Sequence, residues 1–272
     1  MTYKFIISIT ILFSFSLMCN KKKPVFSELA TKLPVVDTIN YEQCARRYKN
    51  GLHEKNLGLM FNLRIIFFES VADYITEDHD SMSDSIISNL NLSFAEQGIS
   101  FYKKEVDVKV KDISINEFVD HSEDYEKVGV LTILVYSNNY GAAYNGIASG
   151  VPGIVMGVVK DRINTGTLAH EMGHLLGVYH VFERDDTDGK NVQTGDKICD
   201  TGSFNIMDNR TRDCGYVGKP LYTKEDLEVL IPNYMNYSAE AIDCRDKFTP
   251  IQMLAIRWHI ENFANLYEAL YY

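Results

Sequence analysis

The sequence has few basic residues, few prolines and no apolar run of membrane-spanning length. Its 27 Lys and Arg stand against 37 Asp and Glu, and the net charge of −10 argues against a nucleic-acid-binding protein, which would need a basic face. Only six prolines are present, and there is neither an internal repeat nor a low-complexity tract. With 46% hydrophobic and 24% charged residues in a chain of 272, the composition is typical of about one globular domain. It speaks against disordered, fibrous and multi-span membrane proteins.

An apolar segment stands near the N-terminus. After Lys4, about 14 mostly apolar residues (5–18) precede Cys19, which is the length of a signal-peptide core. A membrane-spanning helix would need about 20. The pattern predicts a signal peptide over residues 1–19. Because Cys19 also resembles the cysteine of a bacterial lipobox, two forms of export are open: a lipid anchor on Cys19 at the bacterial envelope, or plain secretion with cleavage nearby.

Charge divides the remainder of the chain into two parts. Residues 20–58 contain eight Lys or Arg and four Asp or Glu, a net charge of +4, whereas residues 59–272 carry −15. We interpret residues 20–58 as an N-terminal extension or pro-segment. Residues 59–272 form one domain in this interpretation, with an upper part (59–177) and a lower part (178–272).

Hydrophobic periodicity predicts a mixed sheet with helices packed on it. Apolar or alternating runs predict four strands, at residues 63–68, 106–110, 128–136 and 153–159. Helical spacing of apolar residues, with Gly98 as a stop, predicts a helix over residues 81–97. The alternation of strands and helices indicates the α/β (α+β) class.

Two further helices are predicted from their N-terminal capping residues. Thr165 or Thr167 caps a helix that runs to about Leu176. Thr249 caps the last helix, and Gln252 three residues later completes a capping box with proline at the first helical position.

The helix after Thr165 carries the string HEMGHLLGVYH. His170 and His174 are four residues apart, so both imidazoles project from one face and can share one ion. Glu171 can reach a water on that ion as general base. Gly177 permits the helix to end in a sharp turn, which brings His180 back as a third ligand. Three imidazoles leave the fourth position of a zinc ion open, as in catalytic zinc sites.

This string resembles the extended zinc signature of the metzincin metallopeptidases. Val181-Phe182 and four other stretches resemble the pappalysin, or cytophagalysin-like, family within it. These stretches are a backing helix and strand entry at 86–101, the segment GDKICDT at 195–201, the Met-turn NYMNY at 233–237 and the start of the last helix at 248–252. The resemblance covers about residues 60–260.

The resemblance implies a metzincin-like catalytic domain over residues 59–272. Such a domain has a twisted mixed sheet, backing and active-site helices above the cleft, and a loop-rich C-terminal subdomain with a Met-turn and a final helix. Met235 would form an apolar floor beneath the zinc, and Tyr237 would donate a hydrogen bond to the oxyanion of peptide hydrolysis. Without the resemblance, the residues also allow an ordinary core methionine and a buried tyrosine with a satisfied hydroxyl group. A substrate peptide would lie extended along an edge strand, for which the segment before Gly153 is the candidate.

Four cysteines remain when Cys19 is set aside, and spacing alone does not choose among their three pairings. The resemblance favours a Cys214–Cys244 disulfide. Cys199 then has no evident local partner. Cys44 either pairs with Cys199, stays free, or binds the zinc as a thiolate in a latent precursor.

The charge difference between the two parts of the chain offers a second explanation for a latent precursor. The basic extension would lie against the acidic body as in a zymogen, and Arg46-Arg47 offers a cleavage point for its removal.

An acidic cluster follows the zinc string. Its members are Glu183, Asp185, Asp186, Asp188, Asp196 and Asp200. Family members bind calcium in this part of the chain, and oxygen-rich loops suit Ca²⁺, so a calcium site and a solvated acidic loop are both open.

The sequence therefore predicts a secreted or surface-anchored zinc-dependent endopeptidase, a hydrolase acting on peptide bonds with Zn²⁺ as cofactor. The alternative is a catalytically silent binding module or adhesin on a metzincin fold, against which the intact Glu171 and its histidines argue. A zinc hydrolase that is not a peptidase is disfavoured by Met235 and Tyr237. The expected partner is a peptide or protein substrate, with no nucleic acid, membrane contact only through a lipid anchor, and a monomeric chain.

Overall fold

The structure is a computed structural model and describes the greater part of the chain from residue 58 onward. The described residues are 58–137, 145–182, 184–185, 192–193, 195–198, 200–201, 211–212, 214–216, 224–237 and 244–271. Within them, no helix has the length and apolar character required to cross a membrane. The predicted signal peptide and most of the extension lie outside the described residues, so these boundaries stay predictions.

A five-stranded mixed sheet forms the centre of the described domain. Its strands are β1 (Leu59–Glu69), β2 (Ile99–Val110), β3 (Leu131–Tyr136), β4 (Gly146–Ala148) and β5 (Val155–Val159). Their order is β2-β1-β3-β5-β4, and all neighbours are parallel except β4, which pairs antiparallel with β5. The short strand β4 therefore forms one edge of the sheet, in the segment before Gly153 that was predicted to be an edge.

Seven α-helices accompany the sheet in the described residues. They are α1 (Val71–Thr76), α2 (His79–Phe94), α3 (Phe118–His121), α4 (Gly166–Leu175), α5 (Lys224–Leu230), α6 (Pro250–Asn262) and α7 (Ala264–Glu268). Short 3₁₀ turns occur at Ala95–Gln97, Ile115–Glu117, Ser122–Tyr125 and Lys160–Arg162. The lower part adds two small hairpins, β6 (Arg184–Asp185) with β7 (Val192–Gln193) and β8 (Thr211–Arg212) with β9 (Gly215–Tyr216).

The predicted elements are present, but several of them begin at other residues than predicted. Helix α2 begins at His79 rather than at residue 81, because the Asp78 carboxylate accepts a hydrogen bond from the Ser81 N–H and caps the helix. Strand β3 begins at Leu131 rather than at residue 128, since Gly129 has a φ of 80° that strand geometry does not allow. Strand β2 extends back to Ile99, which pairs with the first residue of β1.

The sheet is buried on both faces, which explains the continuous apolar run in β1. Leu63, Ile65 and Phe67 belong to the larger core, which also contains residues of α2, α4 and α6. Ile66 and Phe68 point into a smaller core on the opposite face, together with residues of β3 and β5. A strand covered on both faces has no polar side and so shows no alternation.

The predicted N-caps are present at the starts of α4 and α6. Thr165 caps α4 by accepting a hydrogen bond from the Thr167 N–H, and every residue from Leu168 to Leu175 is buried. Thr249 and Gln252 form the predicted capping box of α6. Helix α4 therefore lies inside the domain, so that its buried polar side chains require partners from other segments.

Candidate metal centre

Three histidine side chains converge at the C-terminal end of α4. The Nε2 atoms of His170 and His174 lie 3.2 Å and 3.0 Å from the Nε2 atom of His180. The coordinating nitrogen atoms of all three lie within 4.8 Å of one another, and no other such group of His, Cys, Asp or Glu occurs in the part of the chain that the structure describes. The structure thus brings together the three ligands that the sequence predicts.

Backbone carbonyls determine which ring nitrogen of His170 and His174 faces the shared point. His170 donates from Nδ1 to the carbonyl oxygen of Tyr234 at 2.5 Å, and His174 donates from Nδ1 to that of Val178 at 2.8 Å. Because Nδ1 carries the proton in each ring, Nε2 presents a lone pair. Burial, followed by the neighbouring histidines, lowers the pKa of His170 well below its usual value, so this ring is neutral as metal binding requires.

These features fit a zinc ion. Two imidazole nitrogens bound tetrahedrally to one zinc at about 2.0–2.1 Å stand about 3.3 Å apart, close to the spacing found here. The Nε2 lone pairs of His170 and His174 point to one position, where a single cation could bind both. His170, His174 and His180 would hold the ion, and a fourth position would remain for water or substrate.

The turn after α4 depends on Gly177. Its φ of 96° lies in the left-handed region, and its N–H donates to the His174 carbonyl. A Cβ at this position would also overlap the ring of His259 on α6. Gly177 therefore serves two purposes, the reversal of the chain toward His180 and the close packing of the last helix.

Glu171 is buried beside the histidines. Burial raises the pKa of its carboxyl to about 8, while the Arg245 guanidinium acts in the opposite direction. Arg245 donates to Thr167 Oγ1 at the start of α4 and to the carbonyl oxygen of Asn236, and so connects the helix to the loop beneath it. Like Arg245, a metal cation at the histidines would lower the pKa of the Glu171 carboxyl.

The Met-turn lies beneath the histidines, where the resemblance placed it. Met235 is fully buried, and a Cβ added to Gly173 of α4 would stand 2.6 Å from its sulfur. The glycine in HEMGH thus permits the helix and the turn to approach closely.

Tyr237 lies at the surface of the site. Its side chain is 45% exposed, unlike the buried tyrosine that the residues alone allowed. Its ring centroid lies 5.0 Å from that of His180 and 4.6 Å from that of Phe182. Phe182 itself stacks on His180 at 4.6 Å with an interplanar angle of 12°. The ring of Tyr237 therefore lies beside the predicted metal ligand His180, at the surface of the site.

The disulfide implied by the resemblance is present between Cys214 and Cys244. It closes on the segment that follows the Met-turn, next to Arg245. The other cysteine predictions concern Cys19, Cys44 and Cys199, which lie outside the described residues.

Two members of the acidic cluster have structural partners. Asp196 accepts hydrogen bonds from Thr201 and Gln252, and Asp200 accepts from Thr249 and the Ile251 N–H at the start of α6. The side chains of Glu183, Asp185, Asp186 and Asp188 lie outside the described residues. The calcium site stays a prediction.

Two residues at the site were not predicted. Arg245 was missed because arginine has no characteristic spacing from the zinc string. Gly146 was missed because nothing in the sequence shows that β4 passes beside Glu171, where a Cβ on Gly146 would lie 2.6 Å from the Oε1 atom.

The comparisons with known proteins agree with this geometry. Residues 150–261 match the model of a peptidase family described as pregnancy-associated plasma protein-A. This part of the chain, which holds the zinc string and the Met-turn, is therefore similar to the pappalysin family. The resemblance drawn from the zinc string and the Met-turn is thereby confirmed.

Similar proteins include fungal peptidases. An extracellular metalloprotease of Arthroderma benhamiae is 34% identical over 110 residues, which are 40% of this chain and 33% of that protein. One from Colletotrichum graminicola is 32% identical over 116 residues, which are 42% of this chain and 36% of that protein. The matches thus span about a third of the length of these relatives.

A solved structure is similar over most of the chain. Promirolysin of Tannerella forsythia aligns with a TM-score of 0.52 over 82% of this chain and 89% of its own, at 18% identity. This likeness confirms the predicted metzincin-like fold. At 18% identity it supports no statement beyond the fold.

Proposed function

We propose that the protein is a zinc-dependent endopeptidase that is secreted or held at the cell surface. The observation that carries the proposal is the convergence of three imidazole Nε2 atoms, two of them from the helix that also carries the buried Glu171. A family that consists of metallopeptidases supports it. The extracellular metalloproteases among the relatives, together with the predicted signal peptide, support export.

The side chains divide the reaction among them. A zinc ion held by the three histidines would polarise the scissile carbonyl and bring the pKa of a water toward neutrality. Glu171 would accept a proton from the water as its oxygen attacks the carbonyl carbon, and would pass that proton to the amide nitrogen as the C–N bond breaks. Tyr237 donates a hydrogen bond to the carbonyl oxygen as negative charge develops there. Its exposed position allows this contact without a rearrangement of the core.

The edge strand β4 is the proposed binding surface for substrate. Its residues Gly146–Ala148 pair with β5 on one side, and an extended peptide would pair with the other side. Because Gly146 lies against Glu171, a peptide on this strand would bring its backbone to the general base. The site would thus accept any extended segment and would cleave inside a chain.

Cleavage of an unstructured protein tests the proposal. We expect residues 20–272 to cleave it, a zinc chelator to abolish cleavage, and Glu171→Ala to be inactive while still binding zinc. If the protein is a latent precursor, a form starting near residue 48 should be active when the longer one is not. Zinc binding without cleavage by either form would instead favour the catalytically silent binding module.

A further inference from the structure

We propose that Asp196 is a positioning residue for the metal ligand His170 and acts on it through a buried chain of amide groups. The inference rests on the proposed metal site. It gives a role to the GDKICDT segment, which neither the histidines nor Glu171 require. It also gives a use to a buried carboxyl that the proposed reaction leaves without one.

A chain of hydrogen bonds begins at Asp196 and continues through the side-chain amides of Gln252 and Asn233. Gln252 donates from Nε2 to Asp196 Oδ2 at 2.7 Å. Asn233 donates from Nδ2 to Gln252 Oε1 at 2.9 Å. The N–H of Met235 donates to Asn233 Oδ1 at 2.8 Å. Asp196, Gln252 and Asn233 are at most 3% exposed, so water does not compete for these bonds.

The peptide group between Tyr234 and Met235 connects this hydrogen-bond chain to the proposed metal ligand His170. The N–H of Met235 and the carbonyl of Tyr234 belong to the same peptide plane, and that carbonyl accepts the hydrogen bond from His170 Nδ1. Asn233 thus holds one side of the plane and His170 contacts the other. The orientation of this single peptide decides where the imidazole points.

In each of these three hydrogen bonds the donor group points toward Asp196, and a longer bond of 3.3 Å from Gln252 Nε2 to Asn233 Oδ1 runs the other way. Hydrogen bonds aligned in one direction polarise one another in a low-dielectric interior. A carboxylate that contacts a metal-bound histidine directly raises the basicity of the ring and fixes its tautomer. Here the carboxylate would act at a distance, because the aligned amides make the Tyr234 carbonyl a stronger acceptor for the His170 proton.

Asp196 is itself held in place. Its Oδ1 atom accepts hydrogen bonds from the Ile198 N–H and the Thr201 hydroxyl. An asparagine in its place would present an NH₂ group to the NH₂ group of Gln252. Gln252 would have to turn over, and its Oε1 atom would then leave the Thr249 N–H that it now accepts from at 2.9 Å. The Asp196→Asn change therefore interrupts the series of hydrogen bonds, while the volume of the side chain hardly changes.

Asp200 is a matched control in the same loop. Its carboxylate accepts from Thr249 Oγ1 at 2.7 Å and from the Ile251 N–H at 2.9 Å, and so it supports the same end of α6. It takes no part in the amide chain to His170. An Asp200→Asn change should weaken the helix start and leave the metal ligand in place.

The test is zinc affinity, measured on the full chain by competition with a chelator. Burial raises the pKa of Asp196 to about 7, so the measurement is made at pH 8.5, where the carboxylate is charged. We expect Asp196→Asn to weaken zinc binding about tenfold and Asp200→Asn to change it less than twofold. Gln252→Met, which interrupts the same chain, should also weaken it and decides the matter if Asp196→Asn fails to fold. The absorption of the Co²⁺ form should shift only for the variants in the chain.

Two results would overturn the inference. One is an unchanged zinc affinity in a folded Asp196→Asn or Gln252→Met protein. The other is an equal loss in Asp200→Asn, which would show a general effect of loosening α6. A wild-type chain that binds no zinc would fail at the earlier step and contradict the proposed metal site itself.

Discussion

Gly146 on the edge strand lies directly against the carboxylate of Glu171. A Cβ at Gly146 would stand 2.6 Å from both Cγ and Oε1 of that side chain, which is well inside van der Waals contact. Only glycine lets the backbone of β4 approach so closely. The strand proposed to bind substrate and the proposed general base are therefore in direct contact, without an intervening side chain.

Gly146→Ala is expected to lower kcat about 100-fold. The added methyl group must push the Glu171 carboxylate aside, and a displacement of about 1 Å at a reacting group costs on that order. Steady-state kinetics on a peptide substrate provide the measurement.

Gly157→Ala is the control for this change. Gly157 lies on the neighbouring strand β5, where a Cβ would stand 2.7 Å from the ring of Phe118. This variant should lose stability with kcat unchanged. Equal kcat losses in both variants would count against a specific contact with the base.

Tyr237→Phe is expected to lower kcat about 100- to 1000-fold, which is the usual cost of one hydrogen-bond donor to an oxyanion. KM and the melting temperature should stay nearly constant, because the side chain is 45% exposed and the ring remains. A variant with normal kcat would remove Tyr237 from the reaction.

Phe182→Leu is expected to reduce both zinc affinity and kcat. The ring stacks on His180 and also contacts Tyr237, so its loss would leave the proposed metal ligand and the proposed hydrogen-bond donor less firmly positioned. Chelator competition and steady-state kinetics measure the two effects.

Phe118→Leu is the matched control for Phe182→Leu. Phe118 is buried in the smaller core on the opposite face of the sheet. Both variants should lose stability, by about 1–2 kcal/mol. Zinc affinity that fell equally in both would show that the stack on His180 has no special effect.

Glu171 is expected to contribute a loss of stability to the metal-free protein as the pH rises from about 4.5 to about 8. Burial raises the pKa of Glu171 to about 8 in the folded chain, so the folded state holds this proton through a range in which the unfolded state has released it. The loss is on the order of several kcal/mol. Urea unfolding at pH 5 and pH 8.5 measures it.

Comparison with Glu171→Gln isolates this contribution, because glutamine does not titrate. The difference in unfolding free energy between the two proteins should change with pH in the metal-free state and become nearly flat when zinc is added. A difference that stays constant with pH in the metal-free state would contradict the raised pKa.

Sequence reasoning succeeded where the relevant interactions are local. The spacing of His170 and His174 places both on one helix face, and the Thr249 capping box marks a helix start within four residues. The ends of β2 and β3 were predicted less well, since strand ends depend on pairing with a neighbour and on the backbone angle of Gly129. Tyr237 needed the resemblance, because its exposure depends on the rings around it.

The sequence by itself determined that His170, Glu171 and His174 share one helix and that the chain turns back at Gly177 to bring His180 to them, since these features depend on contacts within about ten residues. Only the tertiary structure decided how that helix is supported. The bond from His170 to Tyr234 joins residues 64 apart, and the link from Asp196 to Gln252 joins residues 56 apart. No periodicity records such contacts, because the chain segments meet only when the buried sheet and α6 have closed around the site.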